Sequence, residues 1–292
     1  MKIAVTGAYG QLGGELCRLL GDDAAGLDID TLDLTDGPAV IAALSDLAPD
    51  AVVHCAAYTR VDRAESEPEA CEAVNVTAVE HLVEACGRLD CPLVQISTDY
   101  VFGGPAYRTA PFCEDDPPSP QGVYARSKLA GERAAGRHSK HLIVRTCGLY
   151  ARPSDQRAGN FVKTMLRLGR SQQEPRVVCD QQCTPSYVPH VAEAVLSLLG
   201  TPAGRPAPWG IYHVTNAGAT NWYEFAKEIL RLAGMDVTVQ PITTAEYAAA
   251  APRPAYSVLD TTKYEALGGP VMPTWESALS SYIEEWKTVG EE

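Results

Sequence analysis

A glycine-rich turn near the N-terminus constrains the fold of this chain more than any other feature. Residues 2–6 are predicted to form a buried strand and residues 11–20 a helix, and Gly7, Gly10 and Gly13 span the junction at three-residue intervals. Glycine permits a sharp turn and a close backbone approach, and the helix start offers unpaired N–H groups to an anion. This pattern is typical of a first βαβ unit that holds the pyrophosphate of a dinucleotide.

Short apolar runs continue to alternate with segments of helical periodicity as far as residue 148. Further strands are predicted at residues 24–27, 51–55, 92–97 and 141–145, and helices at 36–47, 67–89 and 124–136. Strands that alternate with helices favour a parallel sheet covered on both faces. The predicted fold class is therefore α/β, with a Rossmann-type, doubly wound parallel sheet.

The pattern becomes looser beyond residue 148. Helices are predicted at residues 160–169, 189–199, 221–233 and 274–286, between loops rich in proline and glycine. We expect residues 1–148 to form a dinucleotide-binding domain and residues 149–292 to form mainly a smaller C-terminal substrate lobe. Residues 188–200 are expected to return to the first sheet. A length of 292 residues suits one large domain or two closely packed ones.

Charge limits the classes of ligand. The formal net charge is −13, from 24 Lys and Arg against 37 Asp and Glu, so the chain would repel nucleic acids and anionic membranes. Neither class is an expected partner, and any anionic ligand must be held by local donors. The start of the chain has no basic region followed by an apolar stretch, and the expected location is the cytoplasm.

Cysteine usage argues against both a disulfide scaffold and a metal site. The nine cysteines include no Cys-x-x-Cys pair. Cys179 and Cys183 are close in sequence, but no second pair or nearby histidine completes a zinc-binding set. No metal is predicted.

Asp28 is placed to select the cofactor. It ends the predicted second strand, 21 residues after Gly7, where a carboxylate accepts hydrogen bonds from ribose hydroxyls. A carboxylate there repels a 2′-phosphate and favours NADH over NADPH. Asp30 and Asp33 add negative charge, although either could instead meet the adenine ring or cap a turn. The predicted cofactor is NADPH or NADH, with a preference for NADH.

Tyr124 and Lys128 lie four residues apart in a predicted helix and therefore share one face. An adjacent ammonium lowers the pKa of a phenol, which can then protonate the oxygen of a carbonyl that receives a hydride. The same spacing also occurs where a solvated lysine passes a half-buried tyrosine. Thr98, at the carboxyl end of the fourth strand, favours the catalytic interpretation because open α/β sheets bind ligands at that edge.

Together these motifs resemble the extended short-chain dehydrogenases/reductases, and within them the dTDP-4-dehydrorhamnose reductase family. The similar segments are Thr6-Gly7-x-x-Gly10-Gln11-x-Gly13, Ala56-Ala57-Tyr58-Thr59-x-Val61-Asp62-x-Ala64-Glu65, Ser97-Thr98-Asp99-Tyr100-Val101-Phe102, Tyr124-x-x-x-Lys128-x-x-Gly131-Glu132, Asn160-Phe161-x-Lys163-Thr164-Met165-Leu166 and Arg253-Pro254-x-x-Ser257-x-Leu259-Asp260. The resemblance spans nearly the whole chain. It implies reduction of the 4-keto group of dTDP-4-dehydro-L-rhamnose to give dTDP-L-rhamnose.

The resemblance also implies roles for individual residues. Tyr124 is the acid, Lys128 its electrostatic partner and a ribose ligand, and Thr98 the second donor to the keto oxygen. The predicted cofactor-binding residues are Gly7, Tyr9, Gly10, Gln11, Leu12, Asp28, Asp33, Leu34, Ala56, Ala57, Tyr58, Tyr124 and Lys128. The predicted substrate residues are Thr59, Val61, Asp99, Tyr100, Asn160 and Arg253. Arg253 is expected to reach the ligand diphosphate, with a surface ion pair as the alternative.

Two segments depart from the family's pattern. Cys147 and Gly148 stand where the family commonly has Ser-Trp, with the tryptophan close to the sugar, and Cys183 stands where it has glycine. These changes leave a different 4-keto-6-deoxy sugar or a different nucleoside open.

Other functions share part of this motif set. The related 4,6-dehydratases have a glutamate after Thr-Asp, whereas this chain has Tyr100, which disfavours water elimination. A nucleotide-sugar 4-epimerase remains an alternative, as does a non-catalytic dinucleotide-binding regulatory subunit, although Tyr124, Lys128 and Thr98 are all present. Trp222, Trp275 and Trp286 are interpreted as packing residues or as part of a subunit interface. A homodimer is left open.

Overall fold

Six parallel strands form the centre of the protein in a computed structural model that describes residues 1–103, 108–155, 159–200 and 206–289. In chain order, the strands of the described residues, central and peripheral together, are β1 (Ile3–Thr6), β2 (Ala24–Leu27), β3 (Ala51–His54), β4 (Leu93–Thr98), β5 (His141–Thr146), β6 (Leu149–Tyr150), β7 (Arg176–Val178), β8 (Gln182–Cys183), β9 (Ser186–Tyr187), β10 (Gly210–His213), β11 (Thr220–Asn221) and β12 (Gln240–Ile242). The central sheet has the order β10-β5-β4-β3-β1-β2, all parallel. The predicted Rossmann-type parallel sheet is confirmed.

Helices cover both faces of this sheet. In chain order, the α-helices of the described residues, including those away from the sheet, are α1 (Gln11–Leu20), α2 (Gly37–Leu47), α3 (Val61–Ala64), α4 (Pro68–Glu72), α5 (Ala78–Leu89), α6 (Gly122–Ala135), α7 (Phe161–Arg170), α8 (Val188–Leu198), α9 (Trp222–Ala233), α10 (Thr244–Tyr247), α11 (Thr262–Glu265) and α12 (Trp275–Val289). All residues of β1 and β3 are buried because helices pack on both sides, which explains their continuous apolar runs. Within the described ranges, no helix combines the length and the apolar character needed to cross a membrane.

Each face of the sheet has its own apolar cluster. Leu16 of α1 packs with Val191 and Val195 of α8 on one face. Leu44 of α2 and Leu82 of α5 pack on the other. At about 25 cal/mol per Å² of buried apolar area, these contacts are the main favourable contribution to the stability of the layers.

The second half of the chain contributes to the central sheet as well as to a separate cluster. Helix α8 packs against α1, and strand β10 extends the sheet beside β5. Strand β10 is not among the strands predicted from the sequence, and its four residues follow a segment rich in proline. The division of the chain at residue 148 stays a prediction.

A second group of helices forms the remaining core. Helices α7, α9 and α12 bury an aromatic cluster that includes Tyr150, Phe225 and Tyr282. Asn160 caps α7 by accepting a hydrogen bond from Lys163 N, and Asn221 caps α9 in the same way. The caps fix where both helices begin, so residues next to them are held firmly.

The segment predicted as one long helix over residues 67–89 contains a π-helical stretch. Residues Ala73–Thr77 separate α4 from α5 with i to i+5 hydrogen bonding. Stretches of this kind occur often at functional sites, because the extra residue redirects a side chain. Here the stretch contains the buried Asn75, whose side chain forms hydrogen bonds with the backbone of Tyr58 and with Ser127 Oγ.

Candidate active site

A cavity of about 620 Å³ lies where the strand order of the central sheet reverses, between β1 and β3. The glycine turn closes one side of it. Gly7 has a φ of +68°, and a Cβ atom added there would lie 2.6 Å from the backbone nitrogen of Ala56. A Cβ atom at Gly13 would lie 2.1 Å from Gly7 O. The turn therefore requires glycine, and its backbone is open to a ligand phosphate.

Most residues predicted to bind the cofactor line this cavity. They are Gly7, Gly10, Gln11, Leu12, Asp28, Asp33, Leu34, Ala56, Ala57, Tyr124 and Lys128. Tyr9 and Tyr58 do not line it. Their backbones support the site instead, since the N–H of Tyr9 donates to Asp28 Oδ2 at 2.8 Å and the N–H of Tyr58 donates to Asn75 Oδ1 at 2.9 Å. The cavity's size and glycine cradle fit a dinucleotide.

Asn75 supports the wall of the cavity through its hydrogen bonds and was not predicted from the sequence. Its side-chain amide donates to Ser127 Oγ at 2.9 Å, while its oxygen accepts the Tyr58 N–H. Asn75 thus ties the loop after β3 to helix α6. An asparagine on the buried face of a helix was the only signal in the sequence, because the partners lie 17 and 52 residues away.

Tyr124 and Thr98 meet at the wall of the cavity. Both line it, and the Thr98 side chain partly offsets the effect of burial on the pKa of the Tyr124 phenol. Burial raises the pKa of Tyr124 above its ordinary value. The prediction that the Tyr124 pKa is lowered is wrong, because burial is the largest influence on this pKa and raises it. The phenol therefore holds its proton at neutral pH.

Lys128 is buried in α6, one turn after Tyr124. Its Nζ donates to Ile96 O at 2.7 Å. Burial lowers the pKa of Lys128 to about 8, with a smaller opposing effect of the Glu132 carboxylate. Among the described residues that line the cavity, Lys128 carries the positive charge and Asp28 and Asp33 the negative charge.

A buried ion pair fixes α6 to the sheet. Glu132 accepts from Arg145 Nε at 2.9 Å and from Arg145 Nη2 at 2.8 Å, and Ser97 Oγ donates to Glu132 Oε1 at 2.6 Å. Ser97 and Arg145 are register partners on β4 and β5. The pair orients the helix that carries Tyr124 and Lys128.

Of the predicted substrate residues, Thr59 lines the cavity, and Asp99 and Tyr100 lie next to the catalytic residues without lining it. The Tyr100 ring contacts the Tyr124 ring edge-on at 5.9 Å. Asp99 is buried, and its carboxylate accepts from Ser257 Oγ at 2.5 Å and from Thr98 Oγ1 at 3.1 Å. Burial raises the pKa of Asp99. Asp99 is therefore satisfied within the protein and supports Thr98.

The remaining predicted substrate residues lie outside the cavity wall. Arg253 forms a two-pronged ion pair with Asp62, at 3.1 and 2.8 Å, which is the alternative considered from the sequence. Asn160 lies 3.4 Å from Gln11 Oε1 while it caps α7. Val61 begins α3. None of the three touches the cavity in this conformation, so their roles toward a substrate stay predictions.

The fold and the site together define the class of this protein as an oxidoreductase that uses a nicotinamide dinucleotide. The cavity for the dinucleotide lies between the glycine turn and helix α6, which carries Tyr124 and Lys128. A family model described as RmlD substrate binding domain matches residues 1–288. The chain belongs to this family, and the resemblance found in the sequence is confirmed.

Individual relatives match over nearly the full chain. The dTDP-4-dehydrorhamnose reductase of Streptomyces griseus is 42% identical over 282 residues, covering 94% of this chain and 91% of that protein. The spore coat polysaccharide biosynthesis protein SpsK of Bacillus subtilis is 39% identical and covers 97% of both chains. The solved dTDP-4-dehydrorhamnose reductase of Bacillus anthracis, in complex with NADP, has a TM-score of 0.90 at 38% identity and covers 98% of this chain and 100% of that chain.

Proposed function

We propose that this protein reduces the 4-keto group of dTDP-4-dehydro-L-rhamnose to give dTDP-L-rhamnose, with NADPH or NADH as the hydride donor. The observation that carries the proposal is the meeting of Tyr124 and Thr98 at the wall of the dinucleotide-sized cavity. The similarity to reductases of this name over almost the entire chain supports the choice of substrate.

Tyr124, Thr98 and Lys128 have different roles in the reduction of the keto group. A nicotinamide dinucleotide held in the cavity would supply the hydride for the carbonyl carbon. Tyr124 gives its proton to the carbonyl oxygen. The Thr98 hydroxyl, which donates to Asp99 Oδ1 at 3.1 Å, turns to donate a second hydrogen bond to that oxygen. Lys128 holds a ribose of the dinucleotide, and its positive charge stabilises the phenolate that remains on Tyr124.

The direct test follows NADH or NADPH absorbance with a panel of 4-keto sugar nucleotides. We expect turnover and a product whose C4 carries a hydroxyl group. Interconversion of C4 epimers without net cofactor consumption would favour the epimerase alternative. No turnover across the panel would favour the regulatory alternative. A melting-temperature screen with dTDP, UDP, GDP and CDP identifies the nucleoside, since a ligand of the native state raises stability by mass action.

A cytoplasmic location and a homodimer also belong to this proposal. The net charge of −13 suits a protein that avoids anionic membranes. Cell fractionation tests the location. Light scattering on the purified protein tests the dimer, and a monomeric mass would contradict it.

Activity is expected to fall as pH rises through about 8, the pKa to which burial lowers Lys128. The ammonium is the form that holds the ribose and stabilises the phenolate, and it loses its proton above that pH. The measurement is kcat/KM for the dinucleotide between pH 6 and 10. Lys128→Arg stays charged throughout this range, so its residual activity should lack the decline; the same decline in that variant would assign it to another group.

Asp28→Asn is expected to raise the preference for NADPH over NADH by about tenfold, equivalent to about 1.4 kcal/mol. The carboxylate at the cavity repels a 2′-phosphate, whereas the amide oxygen can still accept the Tyr9 N–H. The ratio of kcat/KM for the two cofactors measures the change. Asp30→Asn removes the same charge from an exposed neighbour outside the cavity and serves as the matched control. An equal shift in both variants would refute a specific role for Asp28.

A further inference from the structure

Gly148 has no side chain in the cavity wall, and Trp222 of α9 occupies the space where one would project. Gly148 lines the cavity two residues after Thr146, the register partner of Thr98. Its φ is +53°, and a Cβ atom added there would lie 3.0 Å from Trp222 Cη2 and 3.2 Å from Pro185 Cα. The space into which a side chain at position 148 would project is therefore occupied by the tip of the Trp222 indole.

Trp222 is held at this place from two directions. It is the first residue of α9, directly after Asn221, which caps that helix. Its ring packs on Phe161 at a centroid distance of 4.9 Å, and Phe161 begins α7. The N-cap of α7, Asn160, approaches Gln11 on the wall of the cavity. The indole thus stands between Gly148 and the start of α7.

A chain of buried contacts connects Trp222 to the catalytic residues. Asp99 accepts a hydrogen bond from Thr98 Oγ1 at 3.1 Å, and the buried Cys147 thiol lies near both the Asp99 carboxylate and the free Cys183 thiol. Cys183 pairs with Thr220 in the β8-β11 ladder, two residues before Trp222. These contacts fix the distance between the indole and the reactive end of the cavity.

We propose that Trp222 determines substrate specificity by forming the apolar wall against which the sugar ring of the nucleotide sugar packs. This inference rests on the proposed function. Gly148 lines the cavity together with Tyr124 and Thr98, so we place a sugar whose C4 lies at those two side chains next to Gly148, where Trp222 stands. The group it meets there is a rigid aromatic ring, half-buried, which suits the apolar C–H face and the methyl group of a 6-deoxy sugar. The missing side chain at position 148 makes room for that ring.

The test compares Trp222→Ala with Trp222→Phe. Trp222→Ala is expected to raise KM for the keto sugar nucleotide by about tenfold or more, as lost apolar contact requires, with kcat reduced less than KM is raised. The dissociation constants for the dinucleotide and for dTDP alone should stay unchanged, because neither molecule contains the keto sugar that would pack on the indole. Trp222→Phe should retain most of the affinity.

Trp286→Ala is the matched control, since Trp286 is also half-buried but packs against Arg170 in the same group of helices. It should leave KM for the sugar nucleotide unchanged. A wild-type KM in a folded Trp222→Ala variant would overturn the inference, and so would an equal loss of dinucleotide affinity, which would indicate a merely structural role. If the wild-type protein shows no turnover, the proposed function fails, and the binding measurement below still tests Trp222.

Fluorescence gives a second measurement that needs neither turnover nor the alanine variant to fold. Without dinucleotide, the keto sugar nucleotide should quench the tryptophan fluorescence of the wild-type protein more than dTDP does. This difference should disappear in Trp222→Phe. Its persistence in that variant would show that the sugar does not contact Trp222.

Discussion

Tyr124→Phe is expected to lower kcat by at least about 10²-fold while the dissociation constant of the dinucleotide stays nearly unchanged. The substitution removes the hydroxyl that meets Thr98 at the cavity wall but keeps the ring that contacts Tyr100. Since burial raises the Tyr124 pKa, the wild-type phenol carries the proton that the reaction consumes. Steady-state kinetics and a fluorescence titration with NADH measure the two effects separately.

Tyr223→Phe is the control for this substitution. Tyr223 lies on α9, where its ring contacts Lys227 rather than the cavity, so loss of its hydroxyl should not change kcat. Full turnover in Tyr124→Phe would refute the role of the phenol. A parallel loss of dinucleotide affinity would mean that the substitution disturbs the cavity rather than the proton transfer.

Glu132→Ala is expected to lower the free energy of unfolding by about 3–5 kcal/mol, because it leaves the Arg145 guanidinium buried without its partner. Arg145 and Glu132 side chains are only 2% and 4% exposed, so water cannot replace the lost contacts. Ser97 also loses its acceptor. Urea denaturation followed by circular dichroism measures the change.

Glu84→Ala provides the comparison for an exposed pair. Glu84 bonds to Arg88 on α5, with side chains 51% and 59% exposed, and such pairs contribute about 0–1 kcal/mol. A loss of less than about 1 kcal/mol in Glu132→Ala would show that the buried pair is not needed to hold α6. If that variant does not accumulate, Glu132→Gln, which keeps the shape and removes the charge, answers the same question.

Local sequence patterns were sufficient to predict the sheet and the centre of the site. The three glycines at the first turn are required by contacts within a few residues and with one neighbouring loop, so their spacing alone predicts the turn. Tyr124 and Lys128 share a helix face because of the helical repeat. Strands β1, β3 and β4 are buried at every residue, in agreement with the short runs that predict them.

Features that depend on distant segments could not be predicted. The pair between Asp62 and Arg253 joins residues 191 positions apart, and the contact between Asp99 and Ser257 joins residues 158 apart. The pKa of Tyr124 was predicted in the wrong direction because spacing gives the neighbouring charge but not the degree of burial. Likewise, nothing near Gly148 in the sequence indicates that Trp222 fills its place.

Strand β10 and helix α8 have a consequence for recombining proteins of this kind. A fragment that stops at residue 148 would leave β5 as an open edge and would uncover the apolar face of α1, so it would be prone to aggregation. A hybrid that exchanges the C-terminal half of one relative for that of another must therefore keep both segments with the parent that supplies the first five strands. With α8 and β10 kept as one block over residues 188–213, such a hybrid needs three crossovers in the gene rather than one.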